Sequence, residues 1–186
     1  MLQRSALAVL LGAAALHGPP ALAQAPKLLV AAGFGESMTL VGGANGTGSG
    51  GYMAVEALSP EPLWLAGDLY AGLVLTWPAG GCGAGVVPCE VSARIFFLGI
   101  KVRVMAPIPW VGPFVELGAG LSFGTLTTLN GAMVQAEAKG VIPHWQWAVG
   151  LAVGPHHEFS LSLQYLEHNR GKHTCGGIVA GYAFPL

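Results

Sequence analysis

The sequence predicts an all-β fold, an eight-stranded antiparallel transmembrane β-barrel of up-and-down meander connectivity, and three observations carry that prediction. Charged residues make up 9% of the chain and hydrophobic ones 53%, against about 25% and 45–50% in soluble domains. After the first two dozen positions no run of about 18 uncharged apolar residues appears, so no membrane-crossing helix is expected. Pro107, Pro109 and Pro113 interrupt one of the longest candidates, Val104 to Val115. Bulky and small or polar residues instead alternate with period two, which is the spacing of a barrel strand. Lipid offers no partner to an open sheet edge, so an apolar chain without helical spans has to close its sheet on itself.

Taken in chain order, the start reads as an export signal: Arg4, an apolar stretch from Ala6 to Leu16, then the small-x-small site Ala21-Leu22-Ala23. Residues 1–23 are the expected signal peptide and 24–186 the barrel domain. Candidate strands follow at 28–40, 51–59, 63–77, 91–105, 112–127, 144–154, 158–168 and 175–186. The first alternates least clearly, because Gly33, Phe34 and Gly35 interrupt it. In the third, Leu63, Leu65, Leu69, Leu73, Leu75 and Trp77 share one parity, with Ala66, Asp68, Gly72 and Thr76 on the other. The fifth sets Val115, Leu117, Leu121 and Phe123 against Glu116, Gly118, Gly120 and Ser122. The sixth sets Trp147, Val149, Leu151 and Val153 against Gln146, Ala148, Gly150 and Ala152, and the seventh sets Leu161, Leu163 and Tyr165 against Ser160, Ser162 and Gln164.

Short proline-containing links at 59–62, 106–109 and 154–157 alternate with longer, mostly glycine-rich ones around 42–50, 78–90, 129–143 and 169–174. Short periplasmic turns and long outer loops are the usual asymmetry of such barrels. Both ends of the domain are then expected in the periplasm. Trp77, Phe123 and Trp145 fall near the outer strand ends and Trp64, Trp110, Tyr182 and Phe184 near the inner ones, where aromatic girdles sit. The run Gly42 to Gly51 is followed by no lysine and no helix, so it reads as a flexible outer loop, not a phosphate-binding one. The net charge of −1 gives no basic patch and no argument for nucleic acid. Of three cysteines, Cys82 and Cys89 lie seven apart in a Gly/Pro-rich segment and are the expected disulfide of an exported chain, with Cys175 left over.

Parity also gathers the charges. Glu56, Asp68, Lys101, Arg103 and Glu116 all fall on the lumen-facing register of four consecutive strands, near their periplasmic halves. A Lys or Arg facing lipid at mid-depth costs about 2–4 kcal/mol, and an unpaired charge in a tight interior is also expensive. Three acids around two bases, paired and plugging the lumen, avoid both costs.

The closing Gly181-Tyr182-Ala183-Phe184-Pro185-Leu186 looks like the assembly signal of outer-membrane barrels, although a leucine stands last in place of an aromatic residue. With Trp110-Val111-Gly112-Pro113-Phe114-Val115-Glu116-Leu117-Gly118-Ala119-Gly120 and Trp147-Ala148-Val149-Gly150-Leu151, the chain resembles the OmpA-like and OmpW-like small outer-membrane barrels over nearly all of residues 27–186. The resemblance implies the bacterial outer membrane, contact with its lipids and lipopolysaccharide, and recognition by the barrel-insertion machinery. Relatives do several jobs, and fold does not choose among them.

The expected function is a structural or loop-mediated interaction role, without enzymatic activity, cofactor or metal, behind a lumen that side chains fill at eight strands. Two alternatives stand beside it. One is a small channel or carrier for hydrophobic compounds. The other is a lipid A deacylase of the PagL type, whose His-x-Ser-Asn motif is missing: Gln164-Tyr165-Leu166-Glu167-His168-Asn169 puts Tyr165 and Glu167 where His and Ser belong. His144, His168, His173 and Cys175 fall near the outer rim in no recognised metal spacing, and they read as a solvated rim.

Overall fold

In a computed structural model of the chain, residues 26–41, 44–59, 65–78, 89–130, 133–169 and 173–186 are described. The expected signal peptide and Cys82 lie outside them, as does the side chain of Cys89. The strands, in order, are β1 (Lys27–Val41), β2 (Ala44–Leu58), β3 (Leu65–Pro78), β4 (Cys89–Met105), β5 (Val111–Asn130), β6 (Met133–Val153), β7 (Phe159–His168) and β8 (His173–Pro185). Each pairs antiparallel with the next, and β1 pairs with β8 from Lys27↔Pro185 to Thr39↔His173, closing the barrel. Every strand edge is thereby satisfied within the sheet.

Alternation decides which side of the wall each residue occupies. On β4, Ile95, Phe97 and Lys101 are buried inside while Phe96, Leu98, Ile100 and Val102 point outward. On β5, Phe114 and Ser122 are buried and Val115, Leu117, Leu121 and Phe123 are exposed. The outer wall is thus an apolar surface for which lipid is the matching solvent. The core sits in the lumen, around Tyr70, Val74, Ile95, Phe97, Leu126, Ile142 and Leu166.

Two expected outer loops are strand instead. β2 starts at Ala44 and pairs with β1 right up to Val41↔Ala44; β6 starts at Met133 and pairs with β5 up to Asn130↔Met133. Two glycines of β2 are there because neighbouring backbone comes too close for a side chain. A Cβ on Gly48 would run into the Val91 carbonyl oxygen, and one on Gly50 into that of Leu75. Close approach, not flexibility, explains Gly48 and Gly50. In the β5–β6 hairpin Gly124 and Gly140 lie opposite each other, both at positive φ (148° and 93°), and a register shift follows at Thr128/Leu129.

The end at which β1 begins and β8 ends is tied by short-range bonds. His157 Nε2 donates to the Ile108 carbonyl at 2.9 Å, Lys27 Nζ to the His156 carbonyl at 2.7 Å, and the Leu186 amide to the Pro26 carbonyl at 2.9 Å. Exposed Trp110 and the ring cluster Phe159–Tyr182–Phe184 belong to the same end.

Candidate functional site

The lumen holds two polar layers. The first gathers the five charged residues placed there by parity. Lys101 Nζ, on β4, lies 2.6 Å from Glu56 Oε2 on β2 and 2.8 Å from Glu116 Oε2 on β5. Arg103 turns both Nε and Nη2 to Glu116 Oε1, brings Nη2 within 3.4 Å of Glu56 Oε2, and rests its guanidinium 4.9 Å over the Phe114 ring. Room for the lysine comes from Gly118, its ladder partner, where a Cβ would sit 2.9 Å from the Lys101 Cβ.

Asp68 belongs to this layer less fully. Its Oδ2 is 4.0 Å from Arg103 Nε and has no hydrogen bond, while Oδ1 accepts from the Ser59 amide at 3.0 Å. Two glutamates therefore grip both cations. The aspartate is divided between them and the end of β2.

The second layer lies nearer the other end of the barrel and is built from residues read as a solvated rim. His144, His168 and His173 are instead buried, at 3%, 0% and 2% exposure. The cause is register. Because β6 begins at Met133, His144 falls mid-strand on the inward parity with Ile142 and Gln146, and His168 pairs with His173 across the β7–β8 connection. Cys175 is half-buried, its Sγ 2.9 Å from Ser37 Oγ.

A chain of contacts joins the layer: Tyr70 OH to His144 Nε2 at 2.7 Å, His144 Nδ1 to Ser122 Oγ at 2.8 Å, Ser122 Oγ to His168 Nε2 at 2.9 Å, and His168 Nδ1 to His173 Nδ1 at 3.4 Å. One set of neutral tautomers satisfies it. Tyrosine donates to His144, the Nδ1–H of His144 to Ser122, the serine hydroxyl to His168, and His168 to His173. His173 Nε2 is left without a partner.

Between the layers Tyr52 stacks on Phe97 with ring centroids 5.4 Å apart, and Gln164 donates to Tyr52 OH at 2.9 Å and to Gln146 Oε1 at 2.8 Å. Chemically, Ser122 has the histidine neighbours that a nucleophile needs but is fully buried. Tyr165 is on the outer wall, stacked on Trp147 at 5.5 Å. Among the described residues no three His, Cys, Asp or Glu side chains gather to hold a metal ion.

A closed antiparallel barrel with an apolar outer wall and a side-chain-filled lumen defines a small transmembrane β-barrel. Solved outer-membrane proteins share this fold. The crystal structure of the outer membrane enzyme PagL is 13% identical, with 85% of this chain and 99% of that one covered at a TM-score of 0.56. Ail, the attachment invasion locus protein of Yersinia pestis, in complex with the heparin analogue sucrose octasulfate, is 14% identical, with coverage of 87% and 100% and a TM-score of 0.50. At such identities the likeness is one of fold, and it does not choose between OmpA-like and OmpW-like branches. No family model matches the sequence, and no curated protein matches it.

Proposed function

We propose that this chain is a closed barrel of the Gram-negative outer membrane that acts as an anchor and interaction surface, presenting its far-end hairpins outward without conducting solutes. The packing of the lumen carries the reading. Phe97, Ile95, Ile142, Leu166, His168 and His173 are all fully buried across it, with the ion-paired layer below. A gap between Tyr52, Gln164, Leu166 and Cys175 has a volume of about 30 Å³, the share of one water molecule in the liquid. The sealed Ser122 favours a role without catalysis, and the spaced Tyr182 and Phe184 favour handling by the barrel-insertion machinery.

Planar bilayers test the proposal. Purified protein should insert, shown by heat-modifiable gel migration, yet give no discrete conductance steps. Regular ohmic steps would replace the anchor with a channel. Deacylated lipid A in mass spectra of cells expressing the chain, absent from cells without it, would replace it with an enzyme.

A further inference from the structure

On the outer wall, β4, β5 and β6 change character at the same rung of the ladder. Val104–Val115–Val149, Val102–Leu117–Trp147, Ile100–Ala119–Trp145, Leu98–Leu121–Pro143 and Phe96–Phe123–Val141 are successive outward rungs, all apolar. The next two are Arg94–Thr125–Lys139 and Ser92–Thr127–Glu137. These six side chains enclose a cleft of about 330 Å³, directly beyond the Phe96–Phe123 ring pair, whose centroids are 6.3 Å apart.

We propose that this cleft binds the phosphate of a phosphorylated glycolipid whose acyl chains lie along the apolar rungs beneath it. The inference rests on the outer-membrane reading and names one partner for it. Arg94 is exposed and meets no carboxylate among the described residues, Glu137 of the same cleft being paired with Lys139, so a cation stands at the edge of the lipid-facing belt without an ion pair among them. An anionic headgroup at that level supplies the missing charge, and an arginine fork matches phosphate oxygens in two bonds. Lys139, two strands away on the same rung, adds a second cation, and the hydroxyls of Thr125 and Thr127 add short-range donors, that of Ser92 being given to the Thr76 carbonyl at 3.5 Å. Glu137, 2.7 Å from Lys139 Nζ, occupies that lysine until a stronger anion arrives. The belt below fixes the occupant as a lipid, because a free anion gains nothing from the apolar rungs.

The test uses the full chain inserted into phosphatidylcholine vesicles doped with bisphosphorylated lipid A, and native mass spectrometry reads the lipid retained after extraction. Wild type should retain phosphorylated lipid A about tenfold more than lipid A stripped of its phosphates. R94A/K139A should fall to the level of the stripped lipid while keeping heat-modifiable migration, and E137Q should retain more than wild type. Equal retention of the two lipids, or unchanged retention by R94A/K139A, would overturn the site while leaving the barrel reading intact. Displacement of lipid A by inorganic phosphate alone would make it a free-anion site and overturn it as well. Failure of the wild type to insert would remove the outer-membrane reading, and this site with it.

Discussion

The two lumen layers solve one problem by different means. Both fill a tube too narrow to hydrate its lining fully, and both are built from side chains that cannot be buried alone. The charged layer joins three strands through four charges at short ion-pair distances, with Asp68 of β3 standing 4.0 Å off, so each of the four depends on the opposite sign of its neighbours. The imidazole layer passes hydrogen bonds in sequence from Tyr70 to His173, each of the three groups between them giving one and taking one. The lesson is one of fragility. A paired charge that loses its partner is a large liability, whereas a relay that loses a member is broken only locally.

Substitutions should separate the two, beginning where the loss is largest. Lys101→Met removes the cation nearest Glu56, at 2.6 Å, and leaves the two buried carboxylates to Arg103 alone, which stands 3.4 Å from Glu56. It should cost about 3–5 kcal/mol of unfolding free energy, read by urea titration in micelles; a loss under about 1 kcal/mol would mean that water, not lysine, compensates those acids. Arg103→Met leaves Lys101 in place and should cost less, about 1.5–3 kcal/mol. Its bilayer conductance sharpens the comparison, because continued silence would show that the imidazole layer alone seals the tube.

Ser122→Ala deletes the middle of the relay and should cost about 1–3 kcal/mol. A cost matching that of Lys101→Met would erase the distinction drawn above. Asp68→Asn should be mildest, below about 1 kcal/mol, since the amide keeps an oxygen for the Ser59 amide and Asp68 stands 4.0 Å from Arg103. A larger loss in the same titration would promote the aspartate to a full member of the charged layer.

Sequence made the first layer legible and hid the second. Period two is robust to errors at strand ends, so Lys101, Arg103 and Glu116 could be assigned to the lumen by parity alone. The same rule, carried from Gln146 back to His144 and from Leu166 on to His168, points both imidazoles inward. What obscured them was the strand boundary. Residues 129–143 read as a loop, which put His144 at a rim, and Gly48 and Gly50 read as part of a flexible run because their neighbours' approach is invisible in one dimension. The relay itself needs contacts across the barrel, such as Tyr70 on β3 with His144 on β6. No spacing along the chain records these.

The β1–β8 ladder has a consequence for the order of events in folding. Around the closed barrel seven ladders join strands adjacent in sequence and the closing one joins Lys27 to Pro185, with a single further β2–β4 pairing at Thr47↔Glu90. Loop-closure entropy rises with the length of chain between the partners, and long-range pairing slows folding. Chain entropy therefore favours pairing of the hairpins before the seam. Small residues suit that seam: Gly35 faces Gly177, Glu36 faces Gly176 and Ser37 faces Cys175, and a Cβ on Gly35 would strike the Gly176 carbonyl oxygen. Over the stretch from Gly35 to Ser37 the two strands thus have few side chains to rearrange as they meet, and there the barrel closes backbone against backbone.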